Sequence, residues 1–269
     1  MADGPDGTEQ EQAPAGVDVS LPHSARMYDY WLGGKDNFAA DRGLGQAFAA
    51  AIPDIRTMAR ENRAFMRRAA AYLHRQGITQ FLDIGTGIPT EPNVHDVAHG
   101  ARVVYVDNDP VVLVHARALM DQRGSGLTAY IDADLRRPRQ VLADPALSRQ
   151  LDLTKPVGLL LIAVLMLVAD EDDPWGTVRE FLDALPSGSY VAISHPGQDF
   201  DPAAMARVVA AAAQGGMTLV PRVQADVTRF FGAWEIQPPG VVAVNEWLPD
   251  DADASSGVAY YWAGVARKP

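Results

Sequence analysis

None of the 269 residues is cysteine, so disulfide staples, thiolate metal sites and a cysteine nucleophile are all excluded. A thiol-free chain fits a reducing cytoplasm, which is the expected compartment. Positive charge is also scarce: 23 Lys and Arg stand against 34 Asp and Glu, a net charge of −11. A field of that sign repels phosphate backbones, so no nucleic-acid partner is expected. Long apolar runs are missing too. The longest, Val157 to Ala169, spans 13 residues and lies mid-chain, too short for a bilayer and misplaced for a leader, so no membrane partner is expected. No repeat with a period of roughly 20–50 residues is visible. What the chain does have is a 48% share of hydrophobic residues, enough to bury one large α/β core.

Residues 1–20 carry five acids (Asp3, Asp6, Glu9, Glu11, Asp18), no Lys or Arg, and several Gly, Pro and Gln. Such a segment buries too little apolar surface to order itself, and a disordered acidic tail is expected. Residues 21–79 read as a helical lid. A short helix over Ala25–Leu32 stops at Gly33-Gly34, and the polar Lys35-Asp36-Asn37 follows with Phe38 as an aromatic anchor. A long helix then runs from Asp54 to Gln76, with Ile55, Met58, Phe65, Met66, Ala69 and Leu73 near a 3.6-residue period and Gly77 closing it.

From residue 80 to 269, strand-like and helix-like segments alternate, which is the pattern of βαβ units and a parallel sheet. Strands are expected at Gln80–Ile84, Arg102–Val106, Thr128–Asp132, Gly158–Val164 and Tyr190–Ser194. Helices are expected at Val94–Ala98, Pro110–Gln122, Pro138–Ala143 and Pro174–Ala184. Two further strands, near Pro239–Val244 and Val258–Ala266, pair as an antiparallel edge around a solvated acidic loop at Asp250-Asp251-Ala252-Asp253. The expected fold is α/β and Rossmann-like, a mostly parallel seven-stranded sheet flanked by helices, with the helical lid in front and an antiparallel C-terminal strand.

The chemistry gathers at strand ends. An apolar strand ending in Asp83 runs into Gly85-Thr86-Gly87, a turn that lets a ligand approach the backbone closely. Alone, Gly-x-Gly also serves tight turns for purely steric reasons. The next strand ends in Asp107, 20 residues past Gly87, where an acid accepts hydrogen bonds from both ribose hydroxyls of an adenosine cofactor. The third ends in Asp132-Ala133-Asp134-Leu135, where Asp134 can take an adenine amino group and Leu135 cover the ring, although Asp134 also suits a plain helix cap. A dinucleotide site keeps a third glycine so that a helix N-terminus reaches the pyrophosphate; here Pro89 stands instead. Asp83 and Glu91 beside the turn suit a cationic ligand better than a polyanion. S-adenosylmethionine carries cationic sulfonium and amino groups and is the cofactor this set favours, with S-adenosylhomocysteine as its product. Asn108 beside Asp107, Ala163 near the end of the fourth strand, and Arg63, a bidentate partner for a carboxylate, complete the expected cofactor set.

The chain resembles the actinobacterial DUF574 family, described as S-adenosyl methyltransferases. The residues that carry the likeness are Ser24 through Phe38 (SARMYDYWLGGKDNF), Asn62-Arg63-Ala64-Phe65, Leu82-Asp83-Ile84-Gly85-Thr86-Gly87-Ile88-Pro89-Thr90, Val104 through Pro110 (VYVDNDP) and Pro239-Gly240-Val241-Val242. It covers nearly everything from about residue 20 onward. The resemblance implies a class I, Rossmann-like methyltransferase. One departure is Leu165-Met166-Leu167-Val168-Ala169-Asp170, where the family pattern leads one to expect histidine after the leucine and proline before the aspartate. Met166 cannot exchange a proton.

Methyl transfer needs alignment and sometimes removal of one proton, so no strong catalytic motif is required. His195, just past the fifth strand, and His23, beside the lid, are the candidate bases; each also reads as a surface or structural histidine. His95 and His99 have helical metal-pair spacing but no third ligand, and no metal is expected. In the lid, Arg26, Tyr28, Tyr30, Lys35 and Asp36 surround Gly33 and Gly34, a mixture suited to closing over a small-molecule substrate. Three functions stay open: a methyltransferase with a small-molecule acceptor, a cofactor-binding regulatory protein without turnover, and a nicotinamide-dependent oxidoreductase, the last weakened by Pro89.

Overall fold

Five apolar strands, β1 (Gln80–Ile84), β2 (Arg102–Asp107), β3 (Thr128–Asp132), β4 (Gly158–Ile162) and β5 (Tyr190–Pro196), pair in parallel in the order 3-2-1-4-5. The computed structural model describes residues 17–115, 126–248 and 260–269. Alternation along the strands splits the core into two faces. Phe81, Val103, Leu160 and Ala192 pack with Phe65 and Leu73 on one side; Leu82, Val104, Leu159 and Val191 pack with Phe181 and Phe231 on the other. The order reverses between β1 and β4, so a crevice opens beyond the carboxyl ends of these strands.

The long antiparallel strand β8 (Tyr261–Arg267) lies beside β5, Tyr190 opposite Arg267 and Pro196 opposite Tyr261. Two-residue strands β6 (Glu235–Ile236) and β7 (Val242–Ala243) share its outer edge, so among the described residues the sheet has eight strands where seven were expected. Pro238 and Pro239 lie between them, and proline has no N–H to continue a ladder. Of the expected 239–244 strand, only Val242 and Ala243 join the ladder.

Helices α1 (Ser24–Leu32), α2 (Ala39–Ala51) and α3 (Ile55–Arg75) precede the sheet. Later come α4 (Val94–Val97), α5 (Pro138–Ala143), α6 (Pro145–Gln150), α7 (Pro174–Ala184), α8 (Pro202–Gln214) and α9 (Gln224–Arg229), and residues 110–115 are helical as well. Residues 116–122 of the expected Pro110–Gln122 helix, the acidic run 250–253, residues 258–259 of the last strand and residues 1–16 of the tail lie outside the described residues. Within them, no helix is long and apolar enough to cross a membrane.

Helix α2 escapes sequence patterning because it holds Gly43 and Gly45, each of which weakens a helix by about 1 kcal/mol relative to alanine. Gly45 is there for contact: a Cβ would stand 3.0 Å from the Tyr30 ring and 3.2 Å from Trp31 Nε1, which donates to the Gly45 carbonyl. Strand β4 ends at Ile162 rather than Val164. Ala163 takes φ +51° and turns the chain into a 3₁₀ turn at Leu165–Leu167. That turn places residues 163–168 on the floor of the crevice.

Candidate cofactor site

Gly85 and Gly87 both take left-handed backbone (φ +70° and +67°), and the Gly85 and Thr86 N–H groups donate to the Val106 carbonyl, tying the turn to the end of β2. A Cβ on Gly85 would overlap the Val164 side chain, whereas one on Gly87 would meet only Ala25 Cβ at 4.0 Å. Gly85 therefore serves packing, and the space in front of Gly87 is open to a ligand. Gly85→Ala is expected to cost about 2–4 kcal/mol, summing left-handed strain and overpacking. Val164→Ala in the same chain should recover the overpacking part only, a difference that urea melts of the single and double variants will read.

Asp107 organises the neighbouring corner. One carboxylate oxygen accepts from Gly87 N–H (2.8 Å), the other from Asn108 N–H (2.9 Å) and Asp109 N–H (3.0 Å). Burial raises its pKa, against the pull of those N–H groups. Asp83, at the end of β1, is 7% exposed, and burial pushes its carboxyl up to about 7. Arg63 and a hydrogen bond from Thr86 pull the other way, and Asp107 adds to the rise. A half-ionised acid facing a cavity is primed for a positive ligand.

Asp134 faces the same cavity but is already engaged: Arg136 grips both its oxygens, the tightest contact being 2.6 Å. Burial opposes ionisation there, yet Arg136 outweighs it and holds the carboxyl below its usual range. Arg63 reaches in from α3, and its Nη2 donates to the carbonyls of Thr90 and Pro92 (3.0 Å to the latter). Nη2 carries only two hydrogens, so Nη1 and Nε are left for a ligand. Together with Leu135, Asn108 and Ala163, all nine cofactor residues read from the sequence line one cavity of about 380 Å³.

Of the seven lid residues expected to close over the substrate (Arg26, Tyr28, Tyr30, Gly33, Gly34, Lys35 and Asp36), only Tyr28 lines it. Arg26 is instead buried beneath, donating to the carbonyls of Asp18 and Leu21 and lying 3.5 Å from Asp41 and 3.8 Å from Asp109. The Tyr30 ring lies under the Arg56 guanidinium, away from the cavity. Gly33 caps α1 at φ +87°, and Gly34 admits the Asp29 carboxylate, which a Cβ would strike. Asp29 accepts from Asp36 N–H and Asn37 Nδ2 (2.9 Å each), so the Gly33–Asn37 loop is a fastened turn; Lys35 is exposed and Asp36 meets His115 at 3.2 Å.

The two candidate bases part company. His195 is fully buried outside the cavity: its Nδ1 donates to the Pro196 carbonyl, Nε2 accepts from Arg222, and the ring stacks on Phe230. Burial, with the nearby Arg222 charge, lowers its pKa to about 3, so it stays neutral and structural. His23 lines the cavity. Its Nδ1 lies 2.8 Å from buried Asp109, and Ala25 N–H points at the same nitrogen from 3.3 Å. Two partners meet at Nδ1: the Asp109 carboxylate, whose bond would need a proton there, and the Ala25 N–H, whose bond needs a lone pair. Burial works against Asp109 ionisation, but His23, the Val111 N–H and Arg26 outweigh it and hold the acid below its usual pKa.

Asn62, Ser194 and the wall at 216–219 were not read from the sequence as site residues. Ala163 N–H donates to Ser194 Oγ (3.1 Å), Ser194 Oγ–H to Asn62 Oδ1 (2.5 Å), Asn62 Nδ2 to Tyr28 Oη (2.8 Å), and Tyr28 to the Ala59 carbonyl (2.9 Å). Burial pushes the Tyr28 phenol up to about 12, so it is neutral. This chain of bonds ties the lid to the ends of β4 and β5. Asn62 opens the Asn62–Phe65 run that carries part of the family resemblance, which was the one signal available. His95 Nδ1 meets the Tyr105 hydroxyl at 2.6 Å, and among the described residues no three acids or histidines are grouped to hold a metal.

A reversed parallel sheet, a glycine turn after β1 and acids after β2 and β3, all facing one cavity, define a Rossmann-like nucleoside-cofactor enzyme of the class I methyltransferase type. Comparison with known proteins agrees. Residues 10–269 match the family described as S-adenosyl methyltransferase. A crystal structure of a DUF574 family protein from Streptomyces avermitilis is 44% identical, covers 94% of this chain and 99% of its own, and superposes with a TM-score of 0.90. A putative methyltransferase from Thermobifida fusca is 37% identical, with coverage of 95% and 98% and a TM-score of 0.87. None of the curated proteins matches the chain. The chain belongs to the S-adenosyl methyltransferase family and is an S-adenosylmethionine-dependent methyltransferase.

Proposed function

We propose that this enzyme methylates a small molecule rather than a nucleic acid, in the cytoplasm, using residues 80–269 to hold S-adenosylmethionine and residues 21–79 as the lid over it. In this reading Asp107 takes the ribose hydroxyls, Asp134 and Leu135 the adenine, Gly87 and Asn108 the close backbone approach, Ala163 and Asp83 the amino end, and Arg63 the carboxylate. The observation that carries it is Asp83: a buried carboxyl held near half-ionisation in the same cavity as the open face of Gly87. A cationic ligand there favours the ionised form, and a pyrophosphate does not.

The experiment is calorimetric titration with S-adenosylmethionine, S-adenosylhomocysteine and NAD in buffers of different ionisation heat. S-adenosylmethionine should bind more tightly as pH rises through about 7 and release more protons than S-adenosylhomocysteine, which lacks the sulfonium charge. Binding of NAD alone overturns the assignment.

When bound, S-adenosylmethionine supplies a methyl group on a sulfonium leaving group. The chain's own contribution is to align the acceptor and to take one proton. His23 is the proposed proton acceptor, since it lines the cavity and the Asp109 carboxylate 2.8 Å from its ring would stabilise the imidazolium. His23→Asn is expected to lower kcat about 100-fold with little change in cofactor affinity. A kcat within about twofold of the native value assigns the proton elsewhere.

A further inference from the structure

Most of the charged and most of the apolar lining of the cavity come from different parts of the fold. Asp83, Asp107, Asp134 and Arg136 sit at or past the carboxyl ends of β1, β2 and β3. Past β4, and from α1, α2, α3 and the segment after α8, the lining is mostly apolar: Trp31, Leu32, Phe48, Met66, Leu167 and Met217 are among it, with Asp29, Asn62 and Arg63 as polar members. Met27 and Met166 belong to the same wall, so four of the chain's eight methionines gather there.

The ionisable groups near that half are already committed. Asp29 is held by Asp36 and Asn37, Arg63 by the loop carbonyls and, in the proposed function, by the cofactor's carboxylate, and His23 by Asp109, while Tyr28 is a neutral phenol bonded to Ala59 and Asn62. Among the described residues, no free charge is left to receive a charged acceptor, whose desolvation would cost several kcal/mol without a partner. Thioether side chains make soft contacts with aromatic faces and adapt to their shape. A cavity of about 380 Å³ sits at the low end of the roughly 300–1,000 Å³ seen for a single bound ligand, and here two must share it.

We infer that the methyl acceptor is a small, uncharged, flat aromatic molecule carrying one hydroxyl or ring-nitrogen nucleophile, seated against the methionine-rich wall formed by α1–α3, Met166 and Met217. The inference rests on the methyltransferase reading, and the test keeps the two apart. S-adenosylhomocysteine is titrated first; if it fails to bind, the cofactor assignment falls before the acceptor is reached. The saturated complex is then titrated with 2-naphthol and with its charged counterpart of similar shape, 2-naphthoate.

2-Naphthol should bind at least tenfold more tightly than 2-naphthoate. Met217→Glu, at a half-buried loop position, should weaken 2-naphthol at least tenfold while leaving S-adenosylhomocysteine affinity within twofold, and Met217→Leu should retain both. Preference for 2-naphthoate, no binding of 2-naphthol to a protein that binds S-adenosylhomocysteine, or indifference to Met217→Glu each overturns the inference.

Discussion

Asp107→Ala is expected to weaken S-adenosylmethionine binding by at least about 100-fold. Two ribose hydroxyls donating to a buried carboxylate are worth about 1.5–3 kcal/mol each, and every 1.4 kcal/mol is tenfold in affinity. The substitution has a second effect that the strand-end position alone does not reveal. Asp107 also accepts from Gly87, Asn108 and Asp109 N–H groups, so its loss removes one tie of the glycine turn and leaves the buried Asp109 amide without its acceptor. Stability should therefore fall by about 2–3 kcal/mol as well. Calorimetry at low temperature, on protein shown by circular dichroism to be folded, separates the two. Asp134→Ala is the internal comparison: Arg136 already occupies that carboxylate, so the loss should be about tenfold or less.

Asp83→Asn is expected to stabilise the free protein at pH 8 and weaken its cofactor binding. The sign follows from linkage. The folded-state pKa of about 7 lies above the ordinary 3.8, so between those values the folded state holds a proton that the unfolded state has released. Stability contributed by Asp83 is full below about pH 4 and is lost as pH rises to about 7. The asparagine variant escapes that loss, a gain of about 4 kcal/mol above pH 7 that shrinks to nothing near pH 4. His195 slopes the opposite way, since its depressed pKa of about 3 makes the protein lose stability as pH falls below 6.5. In the native chain the two slopes offset between about pH 4 and 6.5; in Asp83→Asn only the His195 slope remains. Urea melts across pH 4–8 test this, and a pH-independent difference between the two proteins contradicts the buried, protonatable Asp83.

The same two residues show how far local pattern carries. Asp83 and Asp107 are legible because each ends an apolar run next to a turn, a relation spanning a few residues. Helix α2 is not, because its glycines answer to the rings of Tyr30 and Trp31 on another helix. The histidines are the sharper case. Both were candidate bases, and nothing adjacent in sequence distinguishes His195, enclosed by Arg222 and Phe230, from His23, held open to the cavity by Asp109. The lid reads well as a helix and poorly as a site: only Tyr28 of its named residues faces the cavity, since Arg26 and Gly34 serve the packing of residues 18–41.

By itself the sequence determined the alternating α/β plan, the parallel strands, the glycine turn and the three acid-tipped strand ends, and through these the methionine-derived cofactor. These features are set by periodicity and by turn chemistry, both of which act within one strand–turn–helix unit. The tertiary structure alone decided the charge state of Asp83, the pairing of His23 with Asp109, the link from Ser194 to Asn62 across 132 residues, and the methionine-lined wall opposite the cofactor. Burial and partner choice arise only when segments distant in the chain are brought against each other, and no local spacing records which of them will meet.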